Sequence, residues 1–221
     1  MQNINGKSAA RLGFYLLGMV LLALGLTLNT KTGLGASAIV SIPFTISEGT
    51  GLNFGDLTFL TYCVLVAAQF VVKGKNRTWV DLLQLVVSLV FTRFLNLFKA
   101  AIPYESGFLP TDIALLIPAI ILTGVGAAMT VDMQLVPNPG DGIVYSLAQR
   151  FGKELGLCKN LFDIGCVAGS LVLGLFFGDP LLGIGLGTIL SMVGVGRSIA
   201  AFNALCKPRL LTLTGLQPAA A

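Results

Sequence analysis

The sequence predicts an all-α polytopic membrane protein made of two inverted repeats. Each repeat is expected to hold three transmembrane helices and one short re-entrant half-helix. Three observations lead there. Hydrophobic residues make up 55% of the 221-residue chain and charged residues 11%, with a mean hydropathy of +0.87, whereas a soluble domain carries about a quarter charged residues. Six apolar segments are long enough to cross a bilayer, which takes about 20 residues. Two further apolar segments, 34–47 (LGASAIVSIPFTIS) and 140–151 (GDGIVYSLAQRF), are too short to cross.

In order along the chain, the long segments are 11–31, 54–73, 79–99, 111–131, 157–177 and 180–203. The first follows a polar stretch with no small-residue cleavage pattern and reads as a retained helix, not a signal peptide. The first short segment comes next and is closed by Glu48-Gly49-Thr50-Gly51. The second short segment follows the fourth long one, so each half runs long, short, long, long. Pro43 and Pro118 are tolerable kinks in apolar helices, and the glycines 183, 185, 187, 194 and 196 are expected to let the last helix pack closely. The whole chain, 1–221, reads as one membrane domain, with repeats at 11–99 and 111–203.

Local similarity supports the duplication. LALGLTLNT (22–30) lies over LTGVGAAMT (122–130), GTGLNFGDLTF (49–59) over KELGLCKNLFD (153–163), and SLVFTR (88–93) over MVGVGR (192–197). The last match brings Arg93 onto Arg197, and the period is about 100 residues. Charge then orients the segments. If both short segments return to the side they came from, Lys7, Arg11, Lys73, Lys75, Arg77, Arg150, Lys153, Lys159, Lys207 and Arg209 share one face. Lys31 and Lys99 then lie near the other. The positive-inside rule favours this arrangement, with both termini cytoplasmic. Three crossings per half invert the second repeat relative to the first. Eight crossing helices in parallel repeats is the alternative.

Charges at the C-terminal ends of the short helices, Glu48 and Arg150 to Glu154, belong at the water interface. The preceding loops, 32–36 and 135–140, are therefore expected to descend toward the midplane, so the N-termini of the two half-helices meet there. Ser37 and Asp141 are the expected N-caps, beside Asn138 and Gly140. Free amides and the positive dipole end attract an anion or a carbonyl-bearing solute. The Asp141 carboxylate offsets that dipole and offers a cation or proton site, unless it only caps the helix. Arg93 and Arg197 are either two symmetric cationic sites along a path or partners of acids such as Asp163 and Asp141. Asn29, Thr130 and Asp132 lie at repeat-related helix ends and are candidates to line the same cavity, with interfacial polarity as the plainer reading.

The chain has no histidine and four cysteines, and none of the cysteines has metal spacing. No metal, cofactor or catalytic constellation is expected. Free thiols are expected for Cys63, Cys158, Cys166 and Cys206.

The stretches YLLGMVLLALGLTLNTKTGLGAS (15–37), TGLNFGD (50–56) and PNPGDGIVYSLAQRFG (137–152) resemble the bacterial YczE/YyaS/YitT-type membrane proteins, over about 11–205. Members often carry a Pro and an acidic residue after the Ser, where this chain has Ala38 and Ile39. The resemblance implies a bacterial inner-membrane location and little about substrate.

The expected function is transport of a small solute or ion, as a secondary transporter or a channel. An accessory membrane protein that stabilises a partner is the alternative, and an intramembrane enzyme is a weaker third. The expected partners are the solute and the lipid bilayer, without nucleic acid. A homo-oligomer is compatible with the sequence.

Overall fold

The computed structural model describes residues 2–216, with side chains from Lys7. Met1 and residues 217–221 of the expected domain lie outside the described residues. Eight α-helices and no strand occur among them: α1 Gln2–Lys31, α2 Ala38–Thr50, α3 Phe54–Lys73, α4 Leu83–Ala101, α5 Leu109–Asp132, α6 Pro139–Phe151, α7 Leu155–Phe176 and α8 Leu186–Thr214. Six of them, all but α2 and α6, are long and apolar enough to cross a membrane. The last helix differs from the expected 180–203. Pro180 and Gly183, the latter at φ +80°, hold a loop, so Gly183 and Gly185 precede α8 and do not lie within it. The helix instead runs on through Lys207, Pro208 and Arg209 to a left-handed Gly215.

α1 and α5 form an antiparallel central pair. Gly18 abuts Met129 and Gly126, while Gly25 abuts Thr123 and Ala119. A Cβ on Gly25 would stand 2.5 Å from the Thr123 amide nitrogen, so glycine is what lets the backbones approach. In lipid, where apolar burial gives little drive, such close van der Waals packing holds helices together.

Around this pair, two hairpins exchange partners. α2 and α3 are joined through Gly51 at φ 74°, and α6 and α7 through Gly152 at φ 60°. A left-handed residue at this position favours glycine, which has no Cβ to clash. α2 lies alongside α7, with Ile42 on Gly169 and Gly49 against the Phe177 ring. α6 lies alongside α3, where Ile143, Val144 and Ala148 pack with Leu65, Ala68 and Val72. α4 packs on α1 and α3, and α8 packs chiefly on α5.

Candidate functional site

The N-terminal ends of the two short helices meet in the middle of the bundle. The Ile39 side chain occupies the space where a Cβ on Gly140 would lie. On one side of this meeting point the chain is extended at Ser37, φ −60° and ψ 143°, and the Ala36 amide donates to the Gly183 carbonyl at 2.9 Å. On the other, Asn138 Oδ1 accepts from the Gly140 amide at 3.0 Å and Asn138 Nδ2 donates to the Tyr62 hydroxyl at 3.3 Å.

One of the two caps differs from that expected. Asn138, followed by Pro139 with its preset φ, starts α6 three residues before Asp141. Asp141 therefore sits in the first turn and does not cap. It joins none of the ion pairs, although it lies in the field of Lys159 and Asp163, which pair with each other at 2.6 Å. Ser37 holds the N-cap position of α2 without a side-chain cap bond. The caps recur at a fixed spacing, Ser37 with Asn138, Gly51 with Gly152 and Asn53 with Glu154, which shifts the register by three from the match that set Arg93 on Arg197.

Thr130 and Asn138 line a small cavity of about 20 Å³ with Tyr15, Ser88, Phe91 and Pro139, room for roughly one water. Asn29 stands apart from it. It is fully buried and donates to the Ser191 hydroxyl, while its Oδ1 has no partner. Asp132 is drawn instead into an ion pair with Lys207, 2.8 Å away. Arg93 and Arg197 do not join the junction. Arg93 is exposed on the outer surface and pairs with Asp56, also exposed, and Arg197 is exposed on α8. Neither pairs with Asp163 or Asp141.

The sequence reading missed a polar layer beneath the junction. Gln69 and Gln84 are both buried and exchange amide hydrogen bonds of 3.0 and 3.1 Å. Gln69 also donates to the Pro139 carbonyl at 3.2 Å. A Cβ on Gly142 would stand 2.7 Å from Gln69 Oε1. At the matching place in the other hairpin pair, the buried Ser170 hydroxyl donates to the Ser41 hydroxyl at 2.8 Å. Two glutamines inside apolar spans are a legible signal, because polar groups at membrane depth are costly and face the interior.

A larger basin of about 460 Å³ opens at one end of the bundle, lined among others by Thr30, Lys31, Glu48, Lys99, Ser106 and Asp179, with Gly35 and Gly183 deeper in. The last residues of α1 and of α2 thus face the same basin, together with Lys99 from the end of α4. Lys99 lies 3.9 Å from Glu48 and 5.6 Å from the Phe54 ring centroid. The loop before α5 is fixed over Gly33 by buried Asp112, which accepts from Tyr104 at 2.8 Å and Ser106 at 3.1 Å. At the opposite end Arg11 donates to the Met133 and Gln134 carbonyls, both at 2.6 Å, closing the C-terminus of α5.

Comparison with known proteins names no activity. An uncharacterized protein of Haemophilus influenzae (strain ATCC 51907 / DSM 11121 / KW20 / Rd) is 24% identical over 188 residues, 85% of this chain and 80% of that one. The uncharacterized protein YyaS of Bacillus subtilis (strain 168) is 23% identical over 200 residues, 90% of this chain and 95% of that one. No solved structure matches. The resemblance to YyaS-type proteins therefore holds, and residues 9–204 match one family model, so that this chain belongs to the family of unknown function DUF6198.

Proposed function

We propose that this chain is a membrane transport protein, a secondary transporter or channel that moves a small solute or ion past the point where α2 and α6 meet. The supporting observation is the contact of Ile39 with Gly140, where the starts of the two short helices meet inside the bundle, one residue before Asp141. Discontinuous helices whose starts point at a central site are how many transporters hold substrate.

In this reading the two halves are inverted repeats. The antiparallel α1–α5 pair and the exchanged hairpins are what an in-plane two-fold axis produces. α2 and α6 are re-entrant: α1 and α2 both end at the basin, and Lys31 and Lys99 mark that end as the outer face. The termini then lie in the cytoplasm of a bacterial cell, and the protein in its inner membrane. The roomy basin on one side of the junction and the water-sized cavity on the other suit a transporter resting open to one face. Ser37, Asn138, Gly140, Asp141, Asn29 and Thr130 are the residues we place along the path. Arg93 and Arg197 act there only if the bundle rearranges.

The test uses single cysteines in a background where Cys63, Cys158, Cys166 and Cys206 are replaced. Ser37→Cys and Asn138→Cys should each react with a small, water-soluble, membrane-impermeant thiosulfonate from one side of sealed vesicles. If neither reacts from either side, the junction is closed packing and the transport reading falls.

A further inference from the structure

The loop between α3 and α4 builds a second polar site, independent of the central junction. It consists of two short 3-10 turns, Gly74–Asn76 and Trp79–Leu82, held by one carboxylate. Asp81 Oδ1 accepts from Lys73 at 2.7 Å, while Asp81 Oδ2 accepts from the Thr78 amide at 3.1 Å and its hydroxyl at 3.0 Å. Asp81 is thereby consumed. Lys75 and Arg77 are left exposed and belong to no ion pair among the described residues. Both line a cavity of about 470 Å³, together with Phe70, Gly74, Thr78 and Trp79.

The aromatic residues point to the kind of occupant. Trp79 is 83% exposed and meets Phe70 edge-on, with ring centroids 6.5 Å apart. Val71 and Val80 beside it are also exposed. A free phosphate would use the two cations and leave this apolar rim uncovered. A phospholipid satisfies both: the guanidinium fork and the ammonium bind the phosphodiester, and the indole rests at the level where headgroup meets acyl chain. Two cations without a facing carboxylate select a lipid with net negative charge.

We infer that this cavity is a headgroup site for an anionic phospholipid of the leaflet that it faces. The inference does not depend on what the central junction does. Trp79 is the sole tryptophan of the chain, so intrinsic fluorescence reads the site directly. The full chain would be reconstituted in vesicles with brominated phosphatidylglycerol or brominated phosphatidylcholine at equal mole fraction. The expected result is an anionic preference in Trp79 quenching on the order of ten-fold, as two basic side chains near a charged surface imply. It should vanish in K75Q/R77Q, be intermediate in K75Q, which breaks no hydrogen bond, and persist in Lys153→Gln. Equal quenching by both lipids overturns the inference, as does a preference that survives in K75Q/R77Q. Relief of the quenching by millimolar inorganic phosphate also overturns it, in favour of a free-phosphate site.

Discussion

The ammonium of Lys207 lies 2.8 Å from Asp132 Oδ1, while Asp132 Oδ2 is buried with no partner. This pair ties the end of α5 to α8. Asp132 is buried but the Lys207 side chain is 35% exposed, so removing Lys207 strands a buried carboxylate whose cost, reduced by solvent at the lysine end, is about 1–3 kcal/mol. Lys207→Met should therefore lower the unfolding midpoint of the detergent-purified protein. The double variant Lys207→Met with Asp132→Leu should recover much of that loss, since no unpaired charge remains.

Gln69 and Gln84 satisfy each other in an apolar setting. Gln69→Leu leaves the Gln84 amide buried and unpartnered, worth roughly 1–3 kcal/mol of destabilisation. Replacing both by Leu should cost less than the sum of the single changes, because each single change orphans a group that the double change removes. Thermal unfolding of the four proteins measures the coupling, and strict additivity would mean that the bonds contribute nothing.

Gly25 and Gly196 make a matched control. Gly25→Ala sets a methyl group on the α5 backbone, 2.8 Å from the Ala119 carbonyl oxygen, and neither helix can yield without parting. It should destabilise by about 1–3 kcal/mol, the usual range for overpacking. At Gly196 nothing lies within 4 Å of the added Cβ, and Gly196→Ala should leave the midpoint unchanged or raise it slightly, as helix propensity dictates.

Sidedness follows from the basic residues. With the native cysteines replaced, Lys31→Cys should be labelled by an impermeant maleimide added outside intact cells. Lys75→Cys should react only after the cells are opened. Outside labelling of Lys75→Cys would refute the re-entrant topology and favour eight crossings.

Asp141 joins none of the ion pairs among the described residues, and in the proposed reading it is the carboxyl group that meets a solute or coupling ion. Asp141→Asn should reduce flux in reconstituted vesicles while leaving the unfolding midpoint near that of the wild type. A fall in stability with flux intact would make it a structural residue.

Much of the architecture was legible because lipid imposes a simple rule: a span needs length and apolarity, and charges mark the ends. That rule located the six long helices and both short ones to within a few residues, apart from the two chain-terminal helices, α1 and α8. It failed at α8 because a helix leaving the membrane need not stop there, and α8 continues even through Pro208, the residue between Ala200 and Thr214 that most disfavours helix. The meeting of the two helix starts was anticipated from the loops at 32–36 and 135–140. The cap was misassigned because Asp141 and Asn138 are both good cap residues, and only Pro139 distinguishes them. Arg93 and Arg197 were placed inward on the ground that charge avoids lipid. The exposed Asp56 beside Arg93 shows another outcome, in which a surface arginine finds an acid on a neighbouring helix. Ser41 and Ser170 carried no signal at all, since a serine in an apolar helix bonds its own turn as readily as a distant partner.

The two hairpin pairs fill the same kind of crossing in different ways. Gln69 fits because residue 142 is glycine, whereas Ser170 fits because residue 41 is serine. The volumes at these two crossings are matched residue for residue: a side chain at 142 would collide with the Gln69 amide, and a larger residue at 41 would displace the Ser170 hydroxyl. Neither crossing can therefore change on one side alone, and drift at either position is tied to its partner on another helix.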